Sequence, residues 1–162
     1  MENKQYKDSM NKTEQIIKRS VDFVIATCCL IFFSPLAIAC AIAIRLEDGL
    51  PVIYRQERIG LHGKPFFIYK FRSMKIDAEK DGPDLLEIKG DPRLTKVGRF
   101  LRMHHLDELP QLWNVFKGDM AFVGPRPERK FYIDQIMEHD PRYTYLYQIR
   151  PGVTSYATLY NG

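Results

Sequence analysis

Cysteine is scarce in this sequence, and the few that occur cannot build a disulfide framework. All three, Cys28, Cys29 and Cys40, lie in one apolar stretch near the N-terminus, with no CxxC pair and no histidine at metal-ligand spacing. Disulfide scaffolds and zinc sites require an ordered set of such residues. We therefore assign these thiols to packing or lipid contact. The lack of a disulfide framework is consistent with a reducing cytoplasm.

Long runs of one charge are also missing. The chain has 24 Lys and Arg against 20 Asp and Glu, a formal net charge of +4, and the bases are scattered among the acids. This balance favours anionic surfaces or phosphorylated ligands and does not require nucleic acid. There is no internal repeat or low-complexity segment, and 162 residues with 45% hydrophobic content are typical of one domain with a core.

The one long hydrophobic run extends from Val21 to Ile44. Its length is close to the roughly 20 residues that a membrane-spanning helix requires. A hydrophilic stretch precedes the run, and the charged segment Arg45–Gly49 follows it where a signal peptide would have small residues for cleavage. The run therefore predicts a membrane segment that is not cleaved.

A Ser-Pro pair divides this run into two shorter apolar halves. Pro35 lacks a backbone donor, so we expect a sharp kink near Ser34, whose hydroxyl can bind a carbonyl that the proline leaves free. Each half is too short to cross a bilayer alone. One interpretation is a re-entrant helix-break-helix over residues 21–45, with its basic ends, Lys18-Arg19 and Arg45, on the cytoplasmic side. An ordinary kinked spanning helix is the alternative.

After Pro51 the sequence becomes mixed in polarity. Two strand-like segments, 51–54 and 65–72, flank turn-forming glycines and predict a β-hairpin. Residues 77–91 are rich in acids and turn formers and predict an exposed loop that carries one short helix. Because most other segments have helical periodicity, the predicted fold class is α+β, mainly helical.

A basic amphipathic helix is predicted to open at Asp91–Thr95. Leu94, Val97 and Leu101 recur at helical spacing, while basic side chains take the other faces. Such a helix can lie on an anionic membrane surface, or it can pack on a core and keep a solvated face. Both interpretations stay open at this point.

A second helix is predicted from about Asp107 to Lys117, with Trp113 in its apolar stripe and a glycine after its end. Pro110 then falls in the first turn, where a missing donor is tolerated. Asp107 and Glu108 would lie at or beside the N-terminus of this helix, a position that favours negative charge, including phosphate. Helix capping is the simpler explanation for such a pair.

The basic surroundings make this acidic pair a candidate site. Arg102 lies one helical step before it, and further bases lie in predicted loops or at strand ends: Arg58, Lys70, Arg72, Arg126 and Arg150. Carboxylates can hold a divalent metal, and arginines can fork onto phosphate oxygens. The combination suits a diphosphate ligand.

In these motifs the chain resembles the monotopic phosphoglycosyl transferases, the bacterial sugar transferases that start glycan assembly on polyprenyl phosphate. The resemblance runs in order through nearly the whole chain, over Lys18–Asp22, Ser34-Pro35, Gln56–Gly60, Lys70–Met74, Leu106–Val115, Lys117–Met120, Val123–Pro127 and Arg150–Thr154. So many ordered motifs are very hard to obtain by chance. The family usually continues beyond Thr154 through a glycine-rich aromatic loop and further helices, so a C-terminally truncated chain or a short member is expected.

The resemblance implies a covalent mechanism in which Asp107 attacks the sugar-bearing phosphorus of a UDP-sugar and releases UMP. The phosphate of an undecaprenyl-type lipid then takes the sugar phosphate from the enzyme. Mg²⁺ is the implied cofactor, with Asp107 and Glu108 as metal ligands, and Glu108 is assigned to metal binding or orientation rather than to proton transfer. The bases named above are the implied substrate-binding residues.

The resemblance also implies a location and a division of the chain. Residues 1–20 form a cytoplasmic segment, residues 21–45 the re-entrant membrane helix broken at Ser34-Pro35, and residues 46–162 a catalytic domain with amphipathic interfacial helices. This domain is expected on the cytoplasmic face of the bacterial inner membrane, where UDP-sugar and lipid can both arrive. The resemblance leaves the sugar, the glycan pathway and the existence of a homodimer open.

Two other classes of function compete with this interpretation. A membrane-anchored binding module would keep the fold without turnover, but its acidic pair or arginines would be expected to decay, and here all are present. A hydrolytic metal enzyme could use His104, His105 and Asp107 as ligands. Their spacing does not match a known zinc pattern, and adjacent histidines at a helix boundary more often have a packing role.

Overall fold

The computed structural model describes residues 10–76, 78 and 91–155 of this chain, and helices dominate it. Four α-helices occur in this part: α1 (Lys12–Asp48), α2 (Lys96–Met103), α3 (Gln111–Lys117) and α4 (Lys130–His139). The strands are β1 (Ile53–Ile59), β2 (Pro65–Phe71), β3 (Ala121–Val123) and β4 (Gly152–Thr154). Three 3₁₀ segments, Leu61–Gly63, Leu106–Glu108 and Pro141–Gln148, complete the order. The predicted mainly helical class is confirmed.

Helix α1 runs without interruption through Pro35, so the two predicted halves are one helix. The physical reason lies at the proline. Pro35 cannot donate to the Ile31 carbonyl four residues earlier, and the Ser34 hydroxyl donates to that oxygen instead, at 2.8 Å. The predicted role of the Ser34 hydroxyl is thus confirmed, whereas the kink and the re-entrant path stay predictions.

The surface of α1 suits a membrane rather than a protein core. Ile31 and Phe32 expose 71% and 77% of their area, which a helix at the centre of a soluble domain would bury. By length and composition α1 can cross a membrane. Its N-terminus is closed by a capping box, in which Asn11 Oδ1 accepts from the Glu14 N–H at 2.9 Å and Glu14 accepts from the Asn11 N–H at 2.8 Å.

Strands β1 and β2 form the predicted hairpin, and β1 starts later and continues to Ile59, beyond the predicted strand end. His62 and Gly63 occupy the left-handed region at the turn, with φ of 57° and 70°. Glycine adopts this conformation freely, whereas an L-residue does so only at some cost. Most of the predicted loop over residues 77–91 lies outside the described residues.

Helix α2 begins at Lys96, not at the predicted opening over Asp91–Thr95. Thr95 is its N-cap, since the Thr95 Oγ1 accepts from the Gly98 N–H at 2.8 Å. The Asp91 carboxylate accepts instead from the guanidinium and the backbone N–H of Arg93. This local pairing holds a turn, and a turn competes with helix formation.

Helix α3 also begins later than predicted, at Gln111 and after Pro110. Asp107 and Glu108 therefore lie in a separate 3₁₀ turn and not in the first turn of α3. The Leu109 N–H donates to the Leu106 carbonyl at 3.2 Å, a three-residue spacing that tightens the chain before the proline. The predicted start of this helix at Asp107 is wrong, and the acidic pair lies just before α3 instead of in its first turn.

A short parallel pair, β3 with β4, was not predicted. Ala121 pairs with Gly152, and Val123 pairs with Thr154. A Cβ on Gly152 would lie 2.1 Å from the Gly124 nitrogen, and one on Gly124 would lie 2.2 Å from the Arg150 carbonyl oxygen. Only glycines allow these two backbone segments to approach so closely.

The chain forms two compact units, and each has its own apolar cluster. The first unit, from the ranges 1–30, 56–68 and 111–162, packs Ala26, Ile68, Val115 and Met120 together. The second unit, from the ranges 31–55 and 69–110, packs Cys40, Ile44, Phe71 and Leu101 together. Cys40 is therefore a packing residue, as predicted.

Candidate active site

The acidic pair lies in the second unit, on the 3₁₀ turn Leu106–Glu108 that follows α2. His105 precedes this turn in the left-handed conformation, with φ of 54° and ψ of 21°. A residue with a β-carbon seldom adopts such angles, and positions of this kind concentrate at functional sites. The reversal at His105 ends α2 and starts the turn that carries Asp107.

Asp107 is a buried carboxylate with charged neighbours. Its exposed fraction is only 7%, although it is an ionisable side chain. Burial raises the pKa of Asp107 above the ordinary value, and the charge of Glu108 raises it further, while Lys70 and Arg102 act in the opposite direction. The net effect is upward. A buried carboxylate with a perturbed pKa, held between two cations, is a candidate functional group.

Lys70 of strand β2 connects the hairpin to the acidic turn. Its ammonium Nζ lies 2.7 Å from the Glu108 Oε1, and both side chains are about three-quarters buried, with exposed fractions of 23% and 26%. A partly buried pair of this geometry is held more firmly than a surface pair. Lys70 therefore orients Glu108 and also contributes positive charge near Asp107.

Arg102 is held by a hydrogen bond to Ser73. The guanidinium Nε donates to the Ser73 Oγ at 2.9 Å, and Ser73 is itself 6% exposed. The backbone of Ser73 also touches α2 closely, because a Cβ on Gly98 would lie 1.9 Å from the Ser73 carbonyl oxygen. Ser73 was not predicted as a site residue, although it lies within the Lys70–Met74 segment that carries the family resemblance.

Arg72, a predicted substrate-binding residue, is buried to 6% exposure and contacts the end of α1. Its Nη2 donates to the Asp48 carbonyl at 2.8 Å and to the Gly49 carbonyl at 3.1 Å. The Asp48 carboxylate lies 3.1 Å from the same nitrogen. These contacts give Arg72 a part in closing the C-terminus of the membrane helix.

The other predicted bases, Arg58, Arg126 and Arg150, belong to the first unit. Arg58 donates to the Pro127 carbonyl at 3.1 Å and pairs with Glu128 at 3.2 Å. Arg150 donates to the Gly118 carbonyl at 3.1 Å, and the Arg126 side chain is exposed. Their assignment to substrate binding stays a prediction.

Metal binding would rest on few protein ligands. In the described ranges no group of three or more His, Cys, Asp or Glu side chains is arranged to hold an ion. The adjacent Asp107 and Glu108 still fit Mg²⁺, which is usually held by one or two carboxylates together with water and substrate phosphates. His104 is engaged elsewhere, since its Nδ1 lies 2.9 Å from the Phe100 carbonyl oxygen.

Comparison with known proteins gives a consistent result. The family model described as "Bacterial sugar transferase" matches residues 13–162. An Aeromonas hydrophila protein named UDP-N-acetylgalactosamine-undecaprenyl-phosphate N-acetylgalactosaminephosphotransferase is 42% identical over 146 residues, or 90% of this chain and 34% of that protein. Two proteins named UDP-glucose:undecaprenyl-phosphate glucose-1-phosphate transferase are also similar. The Escherichia coli K12 protein is 40% identical over 95% of this chain, and the Caulobacter vibrioides protein is 46% identical over 88%.

These relatives are longer than the present chain. The matched region covers 33% of the E. coli protein and 53% of the Caulobacter protein. The chain thus spans between a third and about half of the length of these relatives. The similarity extends over both compact units, because the family match begins in α1 and includes the acidic turn.

Proposed function

Because this chain belongs to the bacterial sugar transferase family, we propose that it transfers a sugar 1-phosphate from a UDP-sugar to undecaprenyl phosphate and releases UMP. The observation that carries the proposal is Asp107, a carboxylate buried to 7% exposure beside two cations. The names of the relatives supply the reaction class, and this side chain supplies a nucleophile for it. The product would be the first lipid-linked sugar of a bacterial glycan.

The proposed first step forms a bond between an Asp107 oxygen and the phosphorus that carries the sugar. The bond from that phosphorus to the bridging oxygen breaks, and UMP leaves with the electron pair. In the second step an oxygen of the lipid phosphate attacks the same phosphorus, and the Asp107 carboxylate is released. A carboxylate that burial makes more basic is a better nucleophile than a solvated one, and splitting the displacement lowers each barrier.

The cations near Asp107 have distinct roles in this proposal. Lys70 favours the ionised form of Asp107 by lowering its pKa, and its ammonium lies 2.7 Å from Glu108. Arg102, fixed by Ser73 at 2.9 Å, presents positive charge to the phosphoryl oxygens. Glu108 needs no role in proton transfer, because a lipid phosphate is already an anionic nucleophile near neutral pH.

Mg²⁺ fits this site through Asp107 and Glu108 and, when bound, would neutralise charge on the diphosphate. The charge on the diphosphate that the metal leaves would be balanced by protein side chains. Arg58, Arg126 and Arg150 are proposed to assist binding of the nucleotide or the lipid phosphate, and of these the Arg126 side chain is exposed. Arg72, which is buried and bonded to the end of α1, is not assigned to substrate contact.

Helix α1 indicates where in the cell the proposed reaction would take place. The exposed apolar surface of α1 would hold the chain at the inner membrane, with the acidic turn on the cytoplasmic side, where UDP-sugars are made. A soluble donor and a lipid acceptor can meet only at such an interface. The re-entrant path of α1 is part of this proposal.

The test is UMP release from a panel of UDP-sugars, with undecaprenyl phosphate and Mg²⁺ in nanodiscs. We expect release with one sugar and its loss in Asp107→Asn. Asp134→Asn makes the same change at an exposed aspartate of α4. It is the matched control and should retain activity. Intact-protein mass should rise by one phosphosugar when donor is supplied without lipid. UMP release without an increase in protein mass would contradict the covalent step. Absence of UMP release with every UDP-sugar would contradict the proposed function.

A further inference from the structure

The C-terminal end of the membrane helix is bonded directly to the first turn of α2. Glu47, in the last turn of α1, accepts the Lys96 N–H with Oε1 and the Val97 N–H with Oε2, each at 2.8 Å. The first backbone N–H groups of a helix have no acceptor within the helix itself. One carboxylate from a distant part of the sequence therefore satisfies two of them, while Thr95 satisfies a third at Gly98.

This bond matters because α2 carries groups of the candidate site. Arg102 lies in its last turn, and the chain then reverses at His105 into the turn with Asp107. Gly98 sits against the Ser73 backbone without room for a β-carbon, so the first half of α2 packs tightly on the segment that follows β2. A displacement at the start of α2 would be transmitted to Arg102 and to the acidic turn.

A second set of hydrogen bonds, from Arg72, holds the C-terminal end of α1. Arg72 donates to the carbonyls of Asp48 and Gly49, the residues that follow Glu47. Arg72 also directly precedes Ser73, which holds Arg102 at 2.9 Å. The ends of α1 and β2 and the start of α2 thus form a closed set of charge-assisted hydrogen bonds within the second unit.

We propose that Glu47 is a positioning residue for sugar-phosphate transfer, which holds α2 so that Arg102 and Asp107 keep their reactive arrangement. The inference rests on the proposed function. It links the membrane helix to the chemistry: insertion of α1 would fix the position of Glu47, and Glu47 would fix the catalytic turn. A plain helix cap would stabilise the fold without affecting the rate of transfer, and this difference can be measured.

Glu47→Gln is the informative variant. It keeps the size of the side chain but leaves one acceptor oxygen and places an NH₂ donor against a backbone N–H. Glu47 is exposed, so the variant should fold. The matched control is Glu138→Gln, the same change at an exposed position of α4. Glu47→Asp, which keeps both acceptor oxygens and the charge, is the conservative variant and should recover part of the loss.

Two measurements on the full chain in nanodiscs test the proposal. Amide hydrogen exchange at Lys96 and Val97 should be faster in Glu47→Gln than in wild type and Glu138→Gln. In single-turnover UMP release, the rate constant should fall about three- to tenfold while the amplitude, which reports the folded active fraction, stays at the wild-type value. Small displacements of reacting groups act on the rate constant, whereas loss of folded protein acts on the amplitude.

Several results would overturn the proposal. An unchanged rate constant with faster exchange would make Glu47 a structural cap only, and so would a reduced amplitude with an unchanged rate constant. Unchanged exchange would mean that the carboxylate does not hold α2. Wild-type protein that releases no UMP from any sugar would overturn the proposed function and this role together, whereas active wild type with an equally fast variant would overturn the role alone.

Discussion

Cationic side chains behave differently in the two compact units. In the first unit the arginines mostly hold the chain together: Arg19 donates to the Val115 and Phe116 carbonyls, both at 2.7 Å, and Arg150 donates to the Gly118 carbonyl. In the second unit Arg72 also binds main-chain carbonyls, but Lys70 and Arg102 lie near a buried carboxylate and contact side chains. A cation bound to main-chain carbonyls stabilises a fold, whereas one beside a buried acid adjusts its reactivity.

The largest effect that separates these roles is expected for Lys70→Met. Loss of the cation removes charge stabilisation near Asp107 and breaks the ion pair with Glu108, so turnover should fall about 10²-fold. The acidic limb of the pH profile should also move to higher pH, because Lys70 lowers the pKa of Asp107. Lys117→Met, which breaks the 2.9 Å pair with Asp119 in the first unit, is the control. Equal losses in both variants would erase the distinction between the units.

Arg19→Met is the matching test of the first unit. It removes two short hydrogen bonds to the last carbonyls of α3, and the free energy of unfolding should fall by about 2–4 kcal/mol. Thermal unfolding in nanodiscs measures this change. Among remaining folded molecules the single-turnover rate constant should equal that of wild type. Lys130→Met, which breaks an exposed pair with Asp134, should cost less than about 1 kcal/mol. A lower rate constant in Arg19→Met would contradict a purely structural role.

Asp107 and Asp91, both in the second unit, have pKa values shifted in opposite directions. Smaller effects on stability, opposite in sign, are expected from them. The raised pKa of Asp107 means that its ionised form is disfavoured in the folded state, so stability falls as pH rises through the interval above its ordinary value. Hydrogen bonds from Arg93 lower the pKa of Asp91 to about 2. Its stabilising effect is therefore complete above the ordinary aspartate pKa and is lost as the pH falls from that pKa to about 2.

At neutral pH, Asp107→Asn should therefore raise Tm by about 2–4 °C, and Asp91→Asn should lower it. As the pH falls, the Asp107 difference should shrink first, because its raised pKa is reached first. The Asp91 difference should persist until the pH falls below the ordinary aspartate value toward about 2. Thermal unfolding measured from neutral pH down to about pH 2 checks this order. A fall in Tm for Asp107→Asn would mean that burial of the charge is not the dominant influence on this side chain.

The hairpin and the apolar stripe of α2 could be predicted, because strand alternation and helical spacing are local patterns. Leu101 belongs to that predicted stripe and is 1% exposed, whereas the sequence left open whether the stripe meets a core or a membrane. The starts of α2 and α3 were misplaced, because a carboxylate pairing with Arg93 and the chemistry of Pro110 decide them. Strands β3 and β4, three residues each and about thirty residues apart, have no periodicity to detect.

The candidate site shows the same limit. Asp107 and Glu108 were predicted as candidates from the motif and its basic surroundings, but their 3₁₀ turn and the left-handed His105 were not predicted. Nothing in the spacing of Lys70 and Arg72, two residues apart on one strand, predicts that Lys70 binds Glu108 and Arg72 binds the end of α1. Tertiary contacts across tens of residues determine which cation serves the site.

The smallest expected effect is spectroscopic and tests where the first unit meets the bilayer. Trp113, the single tryptophan of the chain, is 48% exposed and stacks on Phe116 at 5.2 Å. Phe116 in turn stacks on Phe23 of α1 at 4.9 Å, beside the Arg19 guanidinium. Exposed tryptophan next to an apolar membrane helix and a basic side chain is typical of the interface between lipid headgroups and acyl chains.

Lipids brominated at shallow positions should therefore quench Trp113 fluorescence more strongly than lipids brominated near the chain ends. The emission should shift to the blue by a few nanometres when the chain moves from detergent into anionic bilayers. Because Trp113 is the only tryptophan, the signal needs no assignment. Quenching by aqueous acrylamide with no response to any brominated lipid would place this aromatic stack in solvent, and the stack would then pack α3 on α1 without anchoring the first unit.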